Sequence, residues 1–124
     1  MDQVTLDALK ASIAAWEQKA VAVDADDVLM GTENCPLCQL FYDAVSYCYG
    51  CPVSNETSQG GCWGTPYVKA DDALDRWKWP LWRQRVPVSI VAARDAFHAA
   101  ARAEVAFLRS LLPPDAAQDE DASN

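Results

Sequence analysis

Histidine, methionine and glycine are scarce in this chain, with one, two and five copies among 124 residues. Because His98 is the only histidine, a Cys–His nucleophile pair or a mixed Cys/His metal site would have to use that residue. The pair Gly60-Gly61 does not match the glycine-rich loops that hold phosphates. The sequence therefore offers few catalytic groups, and we interpret the chain as a non-enzyme.

Long apolar runs are also missing. No stretch approaches the ~18 apolar residues that a membrane span needs, and the start, MDQVTLDALK, has an early acid and no apolar segment typical of a secretory signal. We therefore expect a cytoplasmic protein without membrane contact, in which thiols stay reduced or bind metal. The odd number of cysteines also argues against a closed set of disulfides.

Basic residues are few, and they are unevenly distributed. The chain has a net charge of −8, made of −9 over residues 1–75, +5 over residues 76–109 and −4 over the last 15 residues. A surface of this sign would repel nucleic-acid phosphates, which disfavours general nucleic-acid binding. The local basic segment nevertheless leaves that function open.

Two stretches have the periodicity of amphipathic helices. The first runs from about Leu6 to Val21, with Thr5 as the expected N-cap and a hydrophobic staple between Val4 and Leu9. Its apolar stripe is Leu6, Leu9, Ile13, Trp16 and Ala20. The second runs from Ile90 to Leu112, between the N-cap Ser89 and Pro113-Pro114. Its stripe is Ile90, Ala93, Phe97, Ala101, Val105, Leu108 and Leu112.

A shorter helix is expected from Asp71 to Trp79, capped by Asp71 or Asp72 and stopped by Pro80. The predicted fold is mainly α. Two long amphipathic helices pack together and flank an irregular, cysteine-rich, zinc-knuckle-like insert at residues 31–68. We expect one domain over residues 1–114 and a disordered acidic tail over residues 115–124.

All five cysteines lie in one stretch of the insert. They form two C-x2-C pairs and a later single residue: Cys35, Cys38, Cys48, Cys51 and Cys62. Two such pairs can supply the four thiolates of a tetrahedral zinc site. Zinc is therefore the predicted cofactor. Its expected ligands are Cys35, Cys38 and Cys51, with either Cys62 or Cys48 in the fourth place.

Three other interpretations of the cysteines stay open. A [4Fe–4S] cluster also takes four thiolates, and Cys51-Pro52 matches the Cys-Pro end of ferredoxin motifs, although the rest of that spacing is missing. A thiol redox role for CPLC would need a βαβ context that the pattern does not provide. The cysteines could also simply pack in the core. We expect His98 at the surface of the last helix, from where it would have to reach across to bind metal.

A run that interleaves tryptophan with basic residues follows the insert. These residue types are enriched in protein-interface hot spots, and they can also stack on bases while neutralising phosphates. In a third interpretation the tryptophans fill the core and the bases face water. The predicted partner-binding residues are Arg76, Trp77, Lys78, Trp79, Trp82, Arg83 and Arg85.

The motifs CPLC, CYGCPV (Cys48–Val53) and CWGTPY (Cys62–Tyr67) resemble those of a group of short, uncharacterised proteins of tailed bacteriophages and prophages. The resemblance extends more loosely over residues 5–113. It implies expression in the cytoplasm of an infected bacterium and a metal knuckle, and it implies no particular activity.

The preferred functional prediction is a small phage-type zinc-binding accessory protein that binds another protein, with a host factor among the candidates. A nucleic-acid-binding zinc module that uses Arg76–Arg85 is one alternative. An acidic mimic of nucleic acid that blocks a host nuclease or defence complex is another, and an iron–sulfur protein is the last.

Overall fold

The computed structural model describes residues 1–31, 34–42, 48–58, 62, 64–79 and 89–114. Within these residues the chain forms five α-helices and no β-strand: α1 Gln3–Lys19, α2 Pro36–Phe41, α3 Pro52–Thr57, α4 Pro66–Lys78 and α5 Ile90–Ser110. A single 3-10 turn at Ala25–Asp27 follows α1. The predicted mainly helical fold, with two long helices and irregular segments between them, is confirmed. The predicted tail at residues 115–124 lies outside the described residues.

No helix in the described ranges combines the length and the apolar character that crossing a membrane requires.

Helix α1 begins at Gln3, three residues before the predicted start at Leu6. Its N-cap is Asp2, whose carboxylate accepts the backbone N–H of Thr5 at 2.8 Å, so Thr5 lies inside the helix. Aspartate caps a helix at least as well as threonine does. The staple between Val4 and Leu9 is also wrong, because Val4 is 63% exposed. The rest of the stripe is confirmed, since its later members are all buried: Leu9, Ile13, Trp16 and Ala20.

Helix α4 begins at Pro66, five residues before the predicted start at Asp71. Thr65 is the N-cap, and its hydroxyl accepts the N–H of Tyr67 at 3.2 Å. Pro66 occupies the first helical position, where a missing N–H leaves no hydrogen bond unmade. Asp71 and Asp72 therefore lie within the helix, and the prediction that one of them caps it is wrong.

Helix α5 begins where the sequence predicts, because the hydroxyl of its N-cap Ser89 accepts the N–H of Ala92 at 3.2 Å. Its buried face differs from the predicted stripe at two places. Ile90 is 57% exposed, and Glu104 is buried one residue before the half-buried Val105. The helix thus carries one carboxylate on an otherwise apolar face.

Packing centres on α5. Helix α4 makes the most extensive contact with α5, while α1 packs against both α5 and α2. Phe97 of α5 is fully buried, and its ring centroid lies 5.8 Å from that of Trp77 of α4. At the surface, Arg109 of α5 donates to Glu17 of α1 at 2.9 Å. The predicted packing of the two long helices is confirmed, and with α4 they support the cysteine-bearing segments.

Candidate metal centre

A cavity of about 320 Å³ is lined by all five cysteines, which come from three separate segments of the chain. Helices α1, α2, α4 and α5 all contribute to its walls, as does the start of α3. The remaining lining is mostly apolar and includes Trp16, Leu37, Val53, Tyr67 and Leu108. The structure therefore places every predicted metal ligand around one space.

The first cysteine pair is positioned by the start of α2. Cys35 is the N-cap of that helix, Pro36 is its first residue, and the backbone N–H of Cys38 donates to Cys35 Sγ at 3.3 Å. A hydrogen bond from the Cys38 side chain is the main cause that lowers the pKa of Cys35 to about 6, with help from the charge of Lys19. The same side-chain contact and burial raise the pKa of Cys38. Cys35 is therefore prepared to carry a thiolate.

The second pair sits on a tight turn. The N–H of Cys51 donates to the carbonyl oxygen of Cys48 at 3.0 Å. Gly50 has a φ of +87°, which the third residue of a type II turn requires, and Cys48 itself has a φ of +68°, which is uncommon outside glycine. Cys51 is the N-cap of α3, and burial raises its pKa. The Cys-Pro start of α2 is thus repeated in α3 with Pro52.

Cys62 is held by the cap of α4. The Thr65 hydroxyl donates to the carbonyl oxygen of Cys62 at 2.7 Å while it accepts the N–H of Tyr67. Burial raises the pKa of the Cys62 thiol to about 12, and the nearby Cys35 charge acts in the same direction. One threonine therefore fixes both the first turn of α4 and the backbone of the last cysteine.

Two buried polar side chains that the sequence analysis missed also line the cavity. Glu104 is 2% exposed and Ser12 of α1 is 3% exposed. Neither Glu104 Oε2 nor Ser12 Oγ has a hydrogen-bond partner among the described residues. Burial raises the pKa of Glu104 to about 7, although a backbone hydrogen bond from Tyr67 lowers it in part. An acid on the apolar face of α5 was the available sequence signal.

The cavity suits a metal ion in the types of side chain that line it, but not in the distances between them. Among the described residues, no three His, Cys, Asp or Glu side chains are close enough together to hold a metal ion. The donors are instead distributed around the cavity, and binding would have to draw them inward. Thiolates and carboxylates are the donors that zinc accepts, and thiolates are those of iron–sulfur clusters.

His98 takes no part in the cavity lining. It is half-buried rather than at the surface as predicted, and its Nε2 lies 2.7 Å from the carbonyl oxygen of Ala22. Its ring also meets Trp77 edge-on, with centroids 5.8 Å apart. These contacts tie α5 to the segment after α1 and to α4, which is a structural role.

Of the predicted partner-binding segment, the structure describes residues 76–79. Trp77 is 7% exposed and packs against α5, as the core interpretation expects. Trp79 is 47% exposed, and Arg76 is exposed and pairs with Asp72 at 3.2 Å. Three further residues of the prediction lie outside the described residues: Trp82, Arg83 and Arg85.

Comparisons of the chain with protein-family models, with curated proteins and with solved structures found no match. Function is therefore inferred from the cavity and its residues.

Proposed function

We propose that the cavity binds zinc through cysteine thiolates, and that the chain is a small metal-stabilised accessory protein that works by binding another protein. The supporting observation is that five cysteines from three segments line one cavity. Zinc held in this way would fasten the starts of α2 and α3 and the segment before α4 to each other. Metal binding of this kind contributes about 10 kcal/mol to the folding of small zinc peptides.

The polar lining of the cavity supports a bound cation over cysteines that only pack in the core. Ser12 Oγ and Glu104 Oε2 line the cavity beside the five cysteines and have no hydrogen-bond partner among the described residues. Because buried polar atoms are normally paired, a group that binds in the cavity would give them partners.

We assign Cys35, Cys38 and Cys51 to the metal on the basis of their shared setting. Cys35 and Cys51 each begin a helix with a following proline, and Cys38 lies beside Cys35. The test is metal analysis of the purified chain beside Cys51→Ser. The wild-type chain should hold zinc and the variant should lose most of it, whereas equal metal contents in the two would contradict the assignment.

An iron–sulfur cluster is the second candidate, and the cavity volume favours it. A [4Fe–4S] cluster is larger than one zinc ion and takes thiolates that stand further apart, as the distributed donors here do. Anaerobic purification separates the two metals. A brown protein with visible absorption and bound iron and sulfide would replace zinc with the cluster, whereas a colourless protein with zinc supports the first choice.

The partner surface is proposed at the end of α4. Trp79 and Arg76 are exposed there, and these residue types are enriched in interface hot spots. In pull-downs from bacterial lysate, Trp79→Ala should recover less of any specific partner than the wild-type chain and keep its thermal stability. Recovery that is the same for both would contradict this placement. Recovery of a nuclease would favour the acidic-mimic alternative, and salt-dependent binding of DNA or RNA would favour the nucleic-acid module.

A further inference from the structure

The cavity has an apolar mouth and a polar inner end. Three exposed residues with large apolar or aromatic side chains line it: Leu29, Tyr42 and Val68. Ser12 of α1 and Glu104 of α5 line it as well, and both are almost fully buried. Since the exposed residues mark the part of the lining nearest to solvent, the two polar side chains lie at the protected end. A mostly apolar pocket with a few polar groups inside is the usual form of a small-molecule site.

The size and the walls of the cavity suit an aromatic ring system. Its volume of about 320 Å³ falls at the small end of the range of ~300–1,000 Å³ for ligand pockets. The rings of Trp16 and Tyr67, which both line it, meet edge-on with centroids 5.9 Å apart. Leu37 and Leu108, both buried, add aliphatic surface. Flat aromatic molecules pack well against rings in offset or edge-on arrangements.

The polar end favours a neutral group that forms hydrogen bonds. Glu104 has a backbone hydrogen bond with Tyr67, and burial raises its pKa to about 7, so its side chain is mostly uncharged at pH 6. In the part of the chain that the structure describes, Glu104 Oε2 and Ser12 Oγ have no hydrogen-bond partner. A protonated carboxyl and a hydroxyl each offer a donor and an acceptor. A hydroxyl group on a ligand also does both, so it can pair with either side chain.

We propose that the cavity binds a small, flat aromatic molecule with one hydroxyl group, whose rings pack against Trp16 and Tyr67 and whose hydroxyl pairs with Glu104 and Ser12. This inference goes beyond the proposed function and does not rest on it. The polar pair comes from α1 and α5, whereas the cysteines come from the segments that begin α2 and α3 and precede α4. A ligand at the first set of residues does not require a metal at the second.

The test compares 2-naphthol with 2-methylnaphthalene, which has the same rings and nearly the same shape but a methyl group in place of the hydroxyl. Equilibrium dialysis of the full chain at pH 6, with each compound measured by its own fluorescence, gives the two affinities. We expect one molecule of 2-naphthol per chain. Its affinity should exceed that of 2-methylnaphthalene by ~5-fold or more, which is the gain that one or two net hydrogen bonds supply.

Four variants locate the bound hydroxyl. Glu104→Leu puts an apolar side chain at the polar end and should reduce the preference for 2-naphthol to less than about twofold. Ser12→Ala should also reduce it, which keeps the test decisive if Glu104→Leu does not fold. Glu104→Gln retains a donor and an acceptor and should keep the preference. Trp79→Ala removes an exposed ring outside the cavity lining and should bind both compounds as the wild-type chain does. Circular dichroism checks the fold of each variant.

Three results would overturn the inference. The first is that 2-naphthol does not bind up to its solubility limit. The second is equal affinity for the two compounds, as expected if water already satisfies the two oxygens. The third is an unchanged preference in folded Glu104→Leu and Ser12→Ala, which would place the ligand elsewhere. Zinc is measured on the same samples. Preferential binding of 2-naphthol to a chain without zinc would therefore support this inference while the proposed function fails.

Discussion

Replacement of Thr65 with alanine tests how the scaffold holds the cavity. The Thr65 hydroxyl caps α4 by accepting the N–H of Tyr67 and donates to the carbonyl oxygen of Cys62 at 2.7 Å, and the residue is 6% exposed. Loss of a threonine N-cap costs about 1 kcal/mol, and loss of a part-buried hydrogen bond costs about 1 kcal/mol more. Thr65→Ala should therefore lower the free energy of unfolding by about 2 kcal/mol.

Urea denaturation followed by circular dichroism at 222 nm measures this loss, and thermal unfolding should show a Tm lower by roughly 10 °C. Two variants serve as controls. Thr65→Ser keeps the hydroxyl and should stay within about 1 kcal/mol of the wild-type chain. Thr57→Ala removes a bond that the hydroxyl donates to the Val53 carbonyl of its own helix, at 3.1 Å, and should change stability by less than about 0.5 kcal/mol. If Thr65→Ala matches the wild-type chain, or Thr65→Ser is as unstable as Thr65→Ala, the reasoning is refuted.

Three further predictions concern the packing around the site. Phe97→Ala should cost about 3–5 kcal/mol of unfolding free energy, because the ring is fully buried against α4; a loss below about 1 kcal/mol in urea denaturation would contradict this. Burial raises the pKa of Tyr67 to about 12, above the value of about 10 for an unfolded tyrosine. The folded state therefore holds this proton more tightly than the unfolded state, and the free energy of unfolding of the metal-free protein should fall as the pH rises from about 10 to about 12. An alkaline absorbance titration should show a late tyrosine step that Tyr67→Phe removes, and persistence of the step would exclude Tyr67. The exposed pair of Arg109 and Glu17 should couple by less than about 1 kcal/mol in a double-mutant cycle, and a larger value would show that its environment is less solvated than its exposure indicates.

The sequence predicted the long helices because their apolar residues repeat every three to four positions. It placed the start of α5 correctly at Ser89, where one polar residue precedes the apolar run. It placed the starts of α1 and α4 too late, since both real caps precede their apolar stripes. Asp2 and Thr65-Pro66 carry recognisable cap chemistry, so these two errors were avoidable.

The residue types of the candidate site could be predicted from the sequence, but which segments come together around the cavity could not. Cysteine spacing identified the candidate donors, but only tertiary packing shows that Cys62 lines the same cavity as the two pairs. Glu104 was missed although it lies between Ala101 and Leu108 on the predicted apolar stripe, because the stripe alone does not show what this acid faces until the neighbouring helices are placed. Trp77 and Trp79 are the same residue type two positions apart, yet Trp77 is buried and Trp79 is exposed. This difference depends on which side of α4 faces α5.

The most direct test of the proposed metal centre is elemental analysis of freshly purified protein together with counting of its reactive thiols. We predict about one zinc ion per chain, with the ligand thiols protected from alkylation until a chelator removes the metal. A chain that contains no metal, and whose five cysteines all react freely or are joined as disulfides, would contradict the account.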